Sequence, residues 1–196
     1  MFIFVLFTQT NNNYGVEVMK KIFKDENLSN KSKINVLILA MLVCGIFGFI
    51  LETVIYYIKL GEFEKRGSAF GPIIPIYMYG ALLIILVTYR FKDKPLLVFI
   101  INTILTGIVE FGVGYILLEF FDKRLWNYNN EFLNIKGIIC AKSVLSFGLF
   151  SLLLIYVILP ILFKIVKKVP EKTMTIVSYS LGIISLVDIV TYLIVK

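Results

Sequence analysis

The sequence predicts an all-α protein, a polytopic membrane helical bundle with about five transmembrane helices. Three observations carry that prediction. The first is a set of five apolar segments, roughly 34–60, 71–90, 95–121, 137–163 and 174–195. Each has about 20 or more mostly apolar residues, enough to cross a hydrocarbon core of about 30 Å. The second is composition: 59% of the 196 residues are hydrophobic and 17% are charged, with a mean hydropathy of +0.88. Soluble domains carry about 25% charged and 45–50% apolar residues. The third is the small set of ionisable residues inside those segments, Glu52, Glu110, Lys142 and Asp188. Each such charge costs at least about 2.5 kcal/mol on insertion scales, so keeping several marks a polar interior.

The elements follow in chain order. Residues 1–33 are expected to form a polar, partly disordered N-terminal segment, and residues 34–196 a single five-helix transmembrane domain. Met1–Phe7 is apolar but too short to span, and it lacks the basic start and small-residue cleavage site of a signal peptide. Thr8–Gly15, with Asn11, Asn12 and Asn13, reads as disordered. Met19-Lys20-Lys21 reads as a natural start as well as Met1 does. In the first span Gly45, Gly48 and Glu52 share a helical face, and small residues on one stripe let another helix approach closely. The second span is entered through Gly71-Pro72-Ile73-Ile74-Pro75, which reads as a broken helix start. Its two prolines remove N–H donors, and irregular backbone at membrane depth survives only where it is buried or lines a wet cavity. Pro95 opens the third span in its first turn, where a missing N–H is harmless. There Gly107, Glu110 and Gly114 repeat the spacing of the first stripe. Pro160 and Pro170 bracket the end of the fourth span. These runs are too long and too continuous for barrel strands of about 10 residues.

Basic residues set the expected orientation. Counted by side, 12 fall on the face of the N-terminal segment and 7 on the other. The positive-inside rule then puts the N-terminus in the cytoplasm and the C-terminus outside, in a cell membrane. The 17 lysines against 3 arginines, scattered through short loops, argue against nucleic acid as a partner, because base and phosphate forks favour arginine. The partner expected is the lipid bilayer, with a homo-oligomer left open.

With this topology, Glu52 lies about 12 Å and Glu110 about 16 Å from the outer ends of their helices. Lys142 and Asp188 lie about 8 and 10 Å from theirs. Three acids and a base at one level predict a shared polar pocket in the outer half of the bilayer, for ligand binding or relay. Plainer readings compete: Lys142 can snorkel, Asp188 can occupy a water-exposed turn, and either glutamate can serve an interhelical hydrogen bond. Arg66 can point outward or fold back to Glu52 or Glu110. Trp126 and Tyr128 can anchor at the interface or stack on a ligand. The chain has no histidine, which removes His-based metal sites and nucleophile–base pairs. Cys44 and Cys140 are expected roughly 18 Å apart along the membrane normal, beyond the reach of a disulfide. No catalytic residue, metal site or cofactor is expected. Paired acids can still serve as an acid and a base, so an enzyme is the less favoured reading and is not dismissed.

Two loop regions carry the most specific wording. Arg66-Gly67 precedes Gly71-Pro72, Pro75, Tyr77 and Gly80, and Trp126 with Tyr128 precedes Asn134 and Gly137. With Glu52 and Glu110 ahead of each, the chain over about residues 45–150 resembles the bacterial ABC-transporter type IV family. That family is also called CmpB-like and is related to the vertebrate transmembrane protein 229 group. Met78 replaces a glycine of the family pattern, and Asn127 stands where an Asp is usual. The resemblance implies a permease and adds Asn134 to the site residues. The chain has no G-x-x-x-x-G-K-[ST] phosphate loop, so an ATP-driven role requires a separate ATPase subunit. The resulting expectation is a permease-like transport component for a small polar or cationic solute. The alternatives are an intramembrane enzyme acting on a lipid-linked or envelope precursor, and a non-catalytic membrane scaffold or sensor.

Overall fold

A computed structural model of the chain describes residues 23–24, 26–63, 65–124 and 126–195. The apolar opening Met1–Phe7, the asparagine-rich stretch after it and the start at Met19 lie outside the described residues.

Helix α1 spans Asn30–Leu60. Its start is fixed by Ser29, whose side chain accepts the Ser32 N–H at 3.1 Å, an N-cap that satisfies one of the orphan donors of the first turn. Its end is fixed by Gly61, which turns left-handed at φ 76° and sends its N–H to the Tyr57 carbonyl. Helix α2, Pro75–Thr88, runs on into a 3₁₀ turn over Tyr89–Phe91. Together these make 17 residues, shorter than the segment expected from residue 71. The prolines account for the difference, because the backbone becomes helical only at Pro75. Helix α3 covers Pro95–Phe121, the range read from the sequence.

Helix α4, Ala141–Leu153, begins four residues later than expected. Lys136 and Gly137 adopt φ values of 53° and 65°, which no right-handed helix tolerates, and Ile135 pairs with Ile139 in an isolated antiparallel bridge. Cys140 then caps the helix. Its Sγ accepts the Ser143 N–H at 3.4 Å while Ser143 Oγ accepts the Cys140 N–H at 3.2 Å. A π turn over Leu154–Ile158 leads into α5, Leu159–Lys168. Helix α6, Glu171–Val195, follows Pro170. Among the described residues no strand forms. Four helical runs, α1, α3, α4 through α5, and α6, are long and apolar enough to cross a membrane, and α2 is a shorter apolar helix.

The chain resolves into two compact units. The first takes the chain up to Leu86 and from Ile158 onward. In it α1 packs on α5 and α6, around a core of Leu42, Ala69, Ile73, Met78 and Ile189. A polar ladder also joins α1 to α6. Ser29 and Ser32 donate to the Glu171 carboxylate. Asn35 Nδ2 donates to Thr175 Oγ1 at 3.0 Å, and Ser178 Oγ donates to Asn35 Oδ1 at 2.8 Å. Asn35 is fully buried, so both ends of its amide are satisfied inside protein, where an unpaired polar group costs most.

The second unit, Val87–Val157, is built on the α3–α4 pair. Gly107 of α3 faces Val144, and Gly148 of α4 faces Phe99 and Thr103 so closely that an added Cβ would overlap them. The buried Asn102 amide donates to Thr88 Oγ1 at 3.1 Å.

Candidate functional site

In the first unit the site grows from the segment between α1 and α2. Gly48 has no side chain, and the Tyr77 ring lies where a Cβ would stand. Tyr77 hydrogen-bonds the carboxylate of Glu52, one turn further along α1. Arg66 comes back from the loop, with Nε 3.7 Å from Glu52 Oε2 and its guanidinium 3.7 Å from the centre of the Tyr56 ring. The pair is partly buried, with side-chain exposures of 18% for Arg66 and 27% for Glu52.

The non-helical approach to α2 is held inside protein. Ala69, Ile73 and Ile74 are buried. Lys65 donates to the Phe70 carbonyl, and the Phe70 ring meets Tyr192 of α6 edge-on at 5.2 Å. The Gly71 N–H donates to Asp188 Oδ2 at 2.9 Å, and the Ile74 N–H donates to the Gly45 carbonyl of α1 at 3.1 Å. Backbone donors outside a helix are thus matched by groups from two other helices, which is what a low-dielectric setting demands.

In the second unit Glu110 of α3 is 4% exposed. The Tyr128 hydroxyl donates to its Oε1 at 3.2 Å. Tyr128 is aimed by the loop after α3, since its N–H donates to the Gly137 carbonyl at 2.9 Å. Asn134 fixes that loop from within. Its Nδ2 donates to the carbonyls of Asn129 and Glu131, and its Oδ1 accepts the Gly137 N–H. Gly137 is required twice over, by its left-handed φ and by Asn129 and Arg124 crowding the place of a Cβ. The Trp126 indole N–H donates to the Ile138 carbonyl at 2.7 Å, and Gly114 makes room for both residues.

Of the two acids open to Arg66 in the sequence, Glu52 is the one beside it. Asp188 meets the Gly71 backbone, and Glu110 meets Tyr128. Asn134 braces the loop. Lys142 is the second residue of α4 and is exposed, at the helix end and not a further turn and a half inside it. Cys44 and Cys140 are buried free thiols. Sequence reasoning missed Tyr56, which carries the Arg66 guanidinium, and the buried amides Asn35 and Asn102. An amide inside an apolar run was the signal available for the last two.

Long apolar helices that hold buried carboxylate, amide and hydroxyl groups against protein partners define a multi-pass α-helical membrane protein. Among protein families, the one described as Putative ABC-transporter type IV matches residues 39–193. The chain belongs to that family, and its class is therefore transport-related. No curated protein and no solved structure matches it.

Proposed function

We propose that this protein is a permease-like transport component that handles a small polar or cationic solute through its intramembrane carboxylates. The observation that carries the reading is the engagement of each glutamate by the loop that follows its own helix. Arg66 approaches Glu52 at 3.7 Å, and Tyr128 bonds Glu110 at 3.2 Å. A carboxylate held by a loop side chain is a cation site with a built-in competitor. A cationic solute can displace Arg66 or Tyr128, and the displaced residue carries the occupancy of the site out to the loop. Intramembrane acids mark solute and ion pathways for the same reason that they are costly.

In this reading Glu52, Arg66, Asp188 and the Gly71–Pro72–Pro75 break act in one unit, and Glu110, Tyr128, Trp126 and Asn134 in the other. The N-terminus is cytoplasmic, the C-terminus lies outside and the protein resides in the cell membrane. Energy comes from a separate ATPase docked at the cytoplasmic helix ends, because the chain lacks a phosphate loop.

The test is purification of the tagged full-length protein from its native membrane, followed by a thermal-shift screen against small cations and polar solutes. At least one solute should raise the Tm of the wild type and leave a Glu52→Gln, Glu110→Gln double variant unmoved. A double variant that binds and supports transport like the wild type would overturn the reading. A P-loop ATPase should co-purify, and its ATP hydrolysis should respond to that solute.

A further inference from the structure

The second unit carries a cleft that the carboxylates do not use. Gly114, Leu117 and Leu118 of α3 form one wall, Trp126 and Ile138 another, and Lys123 and Arg124 stand just past the helix end. The cleft is shallow and open to the surface. The geometry points to a site for an anionic phospholipid, with the headgroup phosphate on Lys123 and Arg124 and the upper acyl chain along Leu117 and Leu118.

The two halves of the cleft have the polarity of an amphiphile in the order a bilayer presents it. The leucines sit one turn inside a helix long and apolar enough to cross a membrane, and the cations follow its last residue, Phe121, after the intervening Asp122.

The donor count favours an anion at the mouth. Arg124 has five N–H donors, and its Nη1 contact to Asn127 Oδ1, at 3.4 Å, is long. The single indole donor of Trp126 is already taken by the Ile138 carbonyl, so the ring offers the cleft an apolar surface. The acids nearest in sequence, Glu119 and Asp122, are not among the described residues that line it. A free phosphate would use the cations and leave the apolar wall wet, whereas a lipid uses both.

Trp126 is the only tryptophan in the chain, so its fluorescence reads this cleft without labelling. The full-length protein is reconstituted in phosphatidylcholine vesicles doped with either brominated phosphatidylglycerol or brominated phosphatidylcholine, and quenching of Trp126 is compared. Brominated phosphatidylglycerol should bind preferentially by about fivefold or more, the effect of a basic residue or two at an anionic surface. Lys123→Gln with Arg124→Gln should bring that ratio to about one with unchanged circular dichroism, and Lys94→Gln, at the other end of α3, should leave it intact. Equal quenching by the two lipids in the wild type, or a preference that survives the double variant, overturns the proposal. Loss of the preference on adding inorganic phosphate also overturns it, by assigning the cleft to a soluble anion.

Discussion

The Asp188 carboxylate accepts the backbone N–H of Gly71 at 2.9 Å, across 117 residues of sequence. One acid of the last helix therefore terminates the irregular approach to α2. Next to it Pro72 offers no donor, and two residues beyond that the Ile74 N–H is taken by Gly45 of α1. Asp188→Ala should leave the Gly71 donor unmatched and lower stability by about 1.5–3 kcal/mol, the range for hydrogen bonds to charged groups. Asp188→Asn keeps an acceptor and should lose less. Thermal unfolding in detergent, with the two variants side by side, checks both the size and the order.

Arg66 and Glu52 should be energetically coupled. A double-mutant cycle with Glu52→Gln and Arg66→Gln is expected to return an interaction of about 0.5–3 kcal/mol. Arg66→Lys should recover only part of it, because an ammonium does not stack flat on Tyr56 as a guanidinium does. Additive effects of the two glutamine variants would show that the 3.7 Å approach contributes nothing.

Tyr128→Phe should cost Glu110 its hydroxyl partner while leaving the ring in place. The expected loss is about 0.5–1.5 kcal/mol, larger if the carboxylate is charged. Asn134→Ala acts on the same contact indirectly, by releasing the loop that aims Tyr128. If the loop is the positioning element, Asn134→Ala combined with Tyr128→Phe should be no worse for solute binding than Asn134→Ala alone.

Gly148→Leu should separate α3 from α4, because the new side chain would enter the space of Phe99 and Thr103. Overpacking of this kind costs about 1–3 kcal/mol. Gly80→Ala, with open space around its position, should be nearly silent. Comparable losses for the two would deny that Gly148 is a packing contact.

Topology can be read against a quiet background, because Cys44 and Cys140 are both buried. Cysteines introduced at Glu62 and Asn130 should react with an impermeant thiol reagent from outside intact cells, and one at Asp93 should react only after permeabilisation. The opposite pattern would invert the orientation and carry the carboxylates toward the cytoplasmic half.

Much of this architecture was legible in the amino-acid pattern. Continuous apolar length located the membrane helices, and α3 ran from Pro95 to Phe121 because a proline and then Asp122 and Lys123 mark its two ends unambiguously. Helix starts set by local capping were harder. Cys140 caps α4 in partnership with Ser143, an arrangement that a thiol rarely supplies, and Gly137 was the one sign that the backbone there is left-handed. The π turn at Leu154–Ile158 had Pro160 as its sign, since a proline deletes a donor that the preceding turn must accommodate. What could not be read was pairing at long range. Nothing local in Asn35 names Thr175 and Ser178 as its partners, and nothing in Asp188 names Gly71. Such matches exist only once the helices are placed.

The ladder from Asn35 to Thr175 and Ser178 also sets a schedule for biogenesis. Its two sides are separated by about 140 residues, and the segment between them includes the whole of the second unit. At about 5–20 residues per second of synthesis, α1 emerges into the membrane many seconds before α6 exists. During that interval the Asn35 amide has neither of its final partners. The contiguous second unit can close as soon as it is translated, while the first must wait for the last helix. A chain cut short before residue 171 would therefore hold one finished half and, in the other, an amide without the partners that satisfy it, which distinguishes an incomplete protein from a complete one.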